Sequence, residues 1–205
     1  YTFICRNYEE GDEIHAFGFS RGAFTIRILV GLLSKEGLLC CAPGCTEEEL
    51  ARNAPDAYRA YRRDLTQRSR EGRFKLWELH VFLLRTVRYA AIWAWRRLWR
   101  QKTYDEVGKK EVPKDAIAFV GVWDTVAAYG TPFAELTHGI DTWVWPLSMP
   151  DRKLSTKVKK ARHALALDDE RDTFHPLLWS ELEEQELIDK GEVSAGRLQQ
   201  VWFAG

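Results

Sequence analysis

The apolar pattern changes period at residue 20. Ile14 to Phe19 (IHAFGF) reads as a short buried strand after the turn residues GDEI. From Phe24 onward, apolar residues at 26, 28, 29, 32 and 33 fit a helix packed on several sides, with Gly37 as its stop. The chain thus passes from strand through a sharp turn to helix within about 25 residues. A second continuous apolar run, Ala116 to Trp123 (AIAFVGVW), predicts a parallel strand buried on both faces, and Asp124 follows it. Residues 1–8 read as the end of a helix, and Gln199 to Phe203 as a last strand. Lys157–Leu167 and residues 176–188 are predicted helical. Strands alternating with helices indicate an α/β fold with a mainly parallel sheet.

Two stretches interrupt this alternation. Residues 41–72 are polar, and TEEELARNAPDAYRAYRRDL predicts an exposed helix broken near Pro55, with Tyr58 and Tyr61 on one side. Residues 75–100 carry four tryptophans, Trp77, Trp93, Trp95 and Trp99. At 100° per residue, Glu78, Arg85, Arg96 and Arg100 share one narrow face, and most of the rest is apolar. The longest run without a charged residue or His is Tyr89 to Trp95, too short to cross a bilayer. Gln101–Lys114 and residues 130–155 read as loops. Residues 41–114 are therefore expected to form a helical insertion or lid within one domain spanning 1–205.

Composition narrows the function. Thirty basic and thirty acidic side chains cancel, which leaves no global field to steer nucleic acid. The cysteines are Cys5, Cys40, Cys41 and Cys45; their spacing lacks the paired pattern of a zinc site and reads as free thiols. A first residue other than Met, apolar residues at 1, 3 and 4, and the apolar ending VWFAG predict a portion of a longer protein.

The sharpest chemical signal is Gly18-Phe19-Ser20-Arg21-Gly22, a G-x-S-x-G placed between a strand and a helix. A serine on so tight a turn is held in a strained backbone with its hydroxyl exposed. The flanking glycines, Gly18 and Gly22, let strand and helix pass closely. The Arg21 backbone N–H then faces a developing oxyanion, helped by the positive end of the helix. The competing reading is a turn in which Ser20 caps the helix. The Arg21 side chain suits either a phosphate or a salt bridge.

Such a serine needs a base, and the base needs an orienting carboxylate. Asp124 stands at the carboxyl end of a buried strand downstream of Ser20, where an acid can enter the cleft; alternatively it caps the following turn with Thr125. None of His15, His80, His138, His163 and His175 stands in the loop after a late strand, where the base belongs. The chemistry calls for no metal or organic cofactor.

The segments EGDEIHAFGFSRGAFTIRILVGLL, FVGVWDTVAAYG, HALALDDERDTFHPLLW and QQVWFAG occur in one order. Together they resemble the α/β-hydrolase family that includes the phospholipase effectors of the bacterial type VI secretion system. The resemblance implies that Ser20 is the nucleophile and Asp124 the acid. It also implies that the catalytic histidine lies beyond Gly205, in a segment following the VWFAG strand, and that an Asp-Gly-Thr strand contributing to the oxyanion hole precedes Tyr1. By the same likeness the substrate is a phospholipid or another ester. The protein would then be cytoplasmic in the producing cell or exported from it as an effector. The tryptophan helix suits a lipid-facing lid, through Trp77, Trp93, Trp95 and Trp99, with arginines to meet phosphate, or packing on its own domain. A second reading is a catalytically inactive membrane- or partner-binding module that keeps the hydrolase fold. The oligomeric state is left open.

Overall fold

The computed structural model describes residues 1–39, 46–69, 78–98, 104, 108–126, 152–168 and 176–204. These fall into two compact units, Tyr1–Asn7 with Glu36–Lys110, and Tyr8–Lys35 with Glu111–Gly205.

The second unit holds the sheet. Strands β1 (His15–Phe19), β4 (Phe119–Trp123), β5 (Ala161–Ala166) and β6 (Leu198–Phe203) are all parallel, in the order β1-β4-β5-β6. An all-parallel sheet with flanking helices is an α/β arrangement. Between β1 and β4 the chain supplies helix α2 (Arg21–Glu36), which Gly37 ends at φ +71°, a left-handed position open to glycine. Before β6 comes helix α5 (Glu181–Asp189), whose first turn is capped by the Ser180 hydroxyl accepting from the Glu183 N–H.

The register aligns Gly18, Val122, His163 and Gln200 in one row across the four strands. Paired residues share a face, so the neighbouring row, Phe19, Trp123, Ala164 and Val201, points the other way. The first face carries the core residues Ala16, Val120, Val122, Ala161 and Leu165, all buried. On the second, Phe17, Phe19, Trp123, Val201 and Phe203 are 45–68% exposed. The expectation that β1 is a buried strand is therefore corrected, since burial alternates along it, and the expectation that β4 is buried on both faces holds for Val120, Gly121 and Val122 but not for Trp123 at its end.

Residues 161–166 differ most from the sequence-based expectation, forming strand β5 rather than a helix. ARHALA is made of good helix formers, but its burial alternates strictly, with Ala161, His163 and Leu165 inward. Pairing on both sides, with β4 and β6, supplies a ladder that outweighs local propensity. An ion pair fastens the amino end of β6. Arg197 Nε and Nη2 bond both oxygens of Glu184 on α5 at 2.7 and 2.8 Å, while Nη1 donates to the Ser155 and Val158 carbonyls. A guanidinium satisfied on all sides can be buried without an orphaned charge.

The first unit contains α1 (Thr2–Asn7), an antiparallel pair of short strands β2 (Leu38–Leu39) and β3 (Lys109–Lys110), and two long helices, α3 (Glu47–Ser69) and α4 (Glu78–Leu98). Strand β3 lies within a stretch expected to be loop. Helix α3 runs through Pro55 rather than breaking there. Its buried stripe, Leu50, Asn53, Ala57, Tyr61 and Leu65, continues on either side of the proline. Pro55 and Ala51 both lie on the exposed side, where water can take the carbonyl that loses its donor. Arg96 of α4 pairs with Asp56 Oδ2 at 2.7 Å, so one of the arginines of the polar face meets α3. Trp93, Trp95 and Leu98 are exposed. No described helix is long and apolar enough to cross a membrane. Trp77, Trp99, Cys40, Cys41, Cys45 and the region 130–150 lie outside the described residues.

Candidate active site

Ser20 occupies the single position between β1 and α2. Its φ is +54°, a conformation that costs a non-glycine residue about 1–3 kcal/mol. Two hydrogen bonds hold it: its N–H donates to the Trp123 carbonyl at 2.8 Å, and its own carbonyl accepts from the Phe24 N–H at 3.3 Å, opening α2. The crowding argument for flanking glycines applies to one of them. A Cβ on Gly18 would stand 2.6 Å from the Gly22 oxygen and 2.7 Å from the Ala23 backbone. At Gly22, among the described residues, a Cβ would meet nothing within 4 Å. The N–H groups of Arg21 and Gly22 fall in the first turn of α2, where no intrahelical acceptor exists. Both residues are exposed, so donors and helix dipole are directed to the surface beside Ser20.

Asp124 stands one residue beyond β4, as Ser20 stands one residue beyond the adjacent β1. It too is left-handed, at φ +42°. Its N–H donates to the Ala164 carbonyl at 2.9 Å, and its Oδ1 accepts from the Ala166 N–H at 2.6 Å. Among the described residues Oδ2 takes no hydrogen bond. Ser20 and Asp124 thus stand at the carboxyl ends of adjacent parallel strands, the edge at which α/β sheets place their ligands.

The histidines divide clearly. His15 begins β1 and is exposed, its Nε2 3.5 Å from Glu13. His80 lies on α4, in the other unit. His138 and His175 lie outside the described residues. His163 is 2% exposed on β5, in the row of Gly18 and Val122, two residues before Ser20 and Asp124 along the strands.

The protonation of His163 follows from its neighbours. Gln200 is oriented by the Trp179 backbone: its Oε1 accepts from the Trp179 N–H at 2.9 Å, and its Nε2 donates to the Trp179 carbonyl at 3.2 Å. The same Oε1 lies 3.2 Å from His163 Nδ1, so Nδ1 carries the proton. Nε2 is then an acceptor, 3.1 Å from the Thr125 hydroxyl. Burial holds this imidazole neutral, lowering its pKa to about 4 against the opposing effect of its bond to Gln200; Arg27 adds to the depression and Asp124 opposes it. Trp179 meets the His163 ring edge-on at 5.4 Å, and the buried Arg27 guanidinium lies 4.6 Å above the Trp179 ring. His163 therefore has both nitrogens engaged inside the core.

Thr125, Gln200, Trp179 and Arg27 are absent from the sequence-based set of site residues. Only the strand character of 161–166 brings them together with His163, and the apolar pattern there mimicked a helix. A cavity of about 510 Å³ opens at the opposite, amino-terminal edge of the sheet, lined by Glu13, His15, Phe119, Lys159 and Gly196. It is remote from Ser20 and Asp124, and its exposed lysines add nothing to their chemistry.

The whole chain, residues 1–205, matches the family described as T6SS, phospholipase effector Tle1-like, catalytic domain. The chain belongs to this family. It is also 27% identical over 183 residues to the uncharacterized protein YEL023C of Saccharomyces cerevisiae, a match covering 88% of this chain and 20% of that protein. The chain thus spans about a fifth of that relative's length. No solved structure matches it.

Proposed function

We propose that this domain is the catalytic part of a lipid-directed serine ester hydrolase of the phospholipase A type, with an α/β-hydrolase architecture. The observation that carries the reading is the strained Ser20 at the β1–α2 turn, one strand away from the equally strained Asp124. Ser20 Oγ attacks the acyl carbonyl carbon as a histidine removes its proton. The Arg21 N–H receives the oxyanion. The tetrahedral intermediate collapses to an acyl-serine as the histidine protonates the leaving alcohol. Water then attacks the acyl group, with the same histidine as base, releasing the acid and restoring Ser20. Asp124 orients that histidine through its carboxylate. With His163 sealed in the core and family resemblance as the guide, we assign the base to the segment that follows β6. The mechanism needs no metal or organic cofactor. Phospholipid as substrate is the family's chemistry applied to this chain.

The test is direct. The full-length protein is treated with a fluorophosphonate, and the labelled residue is located by mass spectrometry. Labelling at Ser20, and loss of labelling and of ester turnover by at least about a thousandfold in Ser20→Ala, are expected. Undiminished turnover in Ser20→Ala would overturn the assignment.

One observation favours a second reading. Trp93, Trp95 and Leu98 of α4 are exposed, which suits contact with a lipid surface by residues 41–114 acting as a lid. A membrane- or partner-binding module that keeps the fold without turnover would use the same residues. Flotation with phosphatidylglycerol-containing liposomes separates the two. Binding lost in a Trp93→Ala/Trp95→Ala variant, in a protein whose Ser20→Ala form shows no functional change, would favour the module.

A further inference from the structure

The Asp124–Thr125 turn is held by five bonds of different kinds. Two belong to Asp124, from its N–H to the Ala164 carbonyl and from the Ala166 N–H to Oδ1. Three belong to Thr125: its carbonyl accepts from the Leu177 N–H at 2.8 Å, its hydroxyl meets His163 Nε2 at 3.1 Å, and its N–H reaches the same Nε2 at the longer distance of 3.5 Å. A left-handed aspartate persists only where its surroundings over-determine it. The hydroxyl bond is the shorter of the two that tie the turn to the His163 side chain in the core, and through His163 and Gln200 the link continues to β6 and to the Trp179 backbone. Thr125 and His163 are both buried, so neither bond partner can be replaced by bulk water.

From this network we infer that His163 is a positioning residue for hydrolysis at Ser20, its neutral imidazole fixing the Asp124 turn relative to β6 through the Thr125 hydroxyl. The inference rests on the reading of Ser20 as nucleophile and Asp124 as acid. Gln200 donates nothing to the site; it sets the tautomer. With Nδ1–H committed to Gln200, Nε2 offers Thr125 a lone pair, and the hydroxyl hydrogen is drawn into the core. Asp124 is held to β5 by its own bonds, and the adjoining Thr125 is held to His163 on the same strand. A cationic His163 would present an N–H to Thr125 instead, and its charge is excluded by burial and by Arg27 behind Trp179.

The experiment uses the full-length protein and p-nitrophenyl butyrate, with active sites counted by fluorophosphonate labelling. Thr125→Val, Thr125→Ser and His163→Phe are compared with wild type. In Thr125→Val and His163→Phe, kcat per labelled site is expected to fall roughly ten- to a hundredfold, as misplacement of a catalytic group does, with KM within about twofold. A misdirected Asp124 also stabilises the protonated base less, so the acidic limb of the kcat/KM profile should move to lower pH by about half a unit or more. Thr125→Ser, which keeps the hydroxyl, should restore both. The Thr125→Val/His163→Phe double variant should lose no more than either single one. Wild-type kcat per site and an unmoved acidic limb in Thr125→Val, whatever happens to its melting temperature, would overturn the inference and leave the site assignment standing. Should His163→Phe fail to fold, the near-isosteric Thr125→Val decides alone. If Asp124→Asn hydrolyses the ester like wild type, the site assignment itself falls, and the positioning role with it.

Discussion

The two faces of the four-stranded sheet are made by the same strands and differ in what they hold. The face of Gly18 and Val122 is sealed over β4 and β5, opens at Trp202 on the edge strand β6, and carries the polar side chains His163 and Gln200. The face of Phe17, Phe19, Trp123 and Val201 is the more apolar and the more exposed. Apolarity along a strand therefore does not by itself tell which side is buried. The sealed face tolerates a histidine because each ring nitrogen has a partner and the amide beside it is saturated. The polar row lies directly beneath the residues proposed to do chemistry, where fixed geometry matters most.

The contrast can be broken at the glycines. Gly18 lies on the sealed face against backbone atoms of Gly22 and Ala23, which cannot move without shifting α2. Gly18→Ala is expected to destabilise the protein by about 4 kcal/mol or more, read as a lost or strongly lowered urea midpoint. An unaltered midpoint would mean that strand and helix are not in such close contact. On the same face, Leu165 is 1% exposed in the central strand β5. Leu165→Ala should cost about 3 kcal/mol in the same assay.

The buried histidine sharpens the comparison through pH. The folded protein holds His163 neutral down to about pH 4, whereas an unfolded histidine protonates near its ordinary 6.5. Across that window the unfolded chain binds the additional proton, so stability falls as pH falls from 6.5 toward 4 and this loss stops once the folded form protonates too. Between about pH 7 and pH 5 the contribution amounts to about 2 kcal/mol. Urea midpoints at the two pH values should show it, and His163→Phe should flatten the difference. The smallest effect is expected opposite. A Cβ on Gly121 would meet ring atoms of Phe17 and Phe119 at 2.9 and 3.0 Å on the exposed face. Those rings can turn aside, so Gly121→Ala should cost only about 1 kcal/mol. A loss as large as that of Gly18→Ala would show that the exposed face is as rigid as the sealed one.

Some of this was legible in the sequence, for local reasons. The passage from β1 through Ser20 to α2 and the stop at Gly37 follow from a change of period and from glycine placement within one stretch of chain. The last strand and the short helix before it were readable in the same way. Helix α3 was readable except at Pro55, where a buried stripe made by distant contacts outweighs one missing hydrogen bond. Strand β5 was not readable: Ala, Arg and Leu favour helix, and only pairing with β4 and β6 reverses the preference.

By itself, then, the sequence determined the strand–serine–helix turn, the carboxylate at the end of a buried strand and the family to which these segments are similar, because each is written in contiguous residues. Tertiary structure alone decided which face of the sheet holds the core, that 161–166 is a strand, and that His163, Gln200 and Thr125 form one hydrogen-bonded network under the candidate site. Those outcomes depend on hydrogen bonds between residues 21 to 38 positions apart, and no local pattern encodes a partner at that distance.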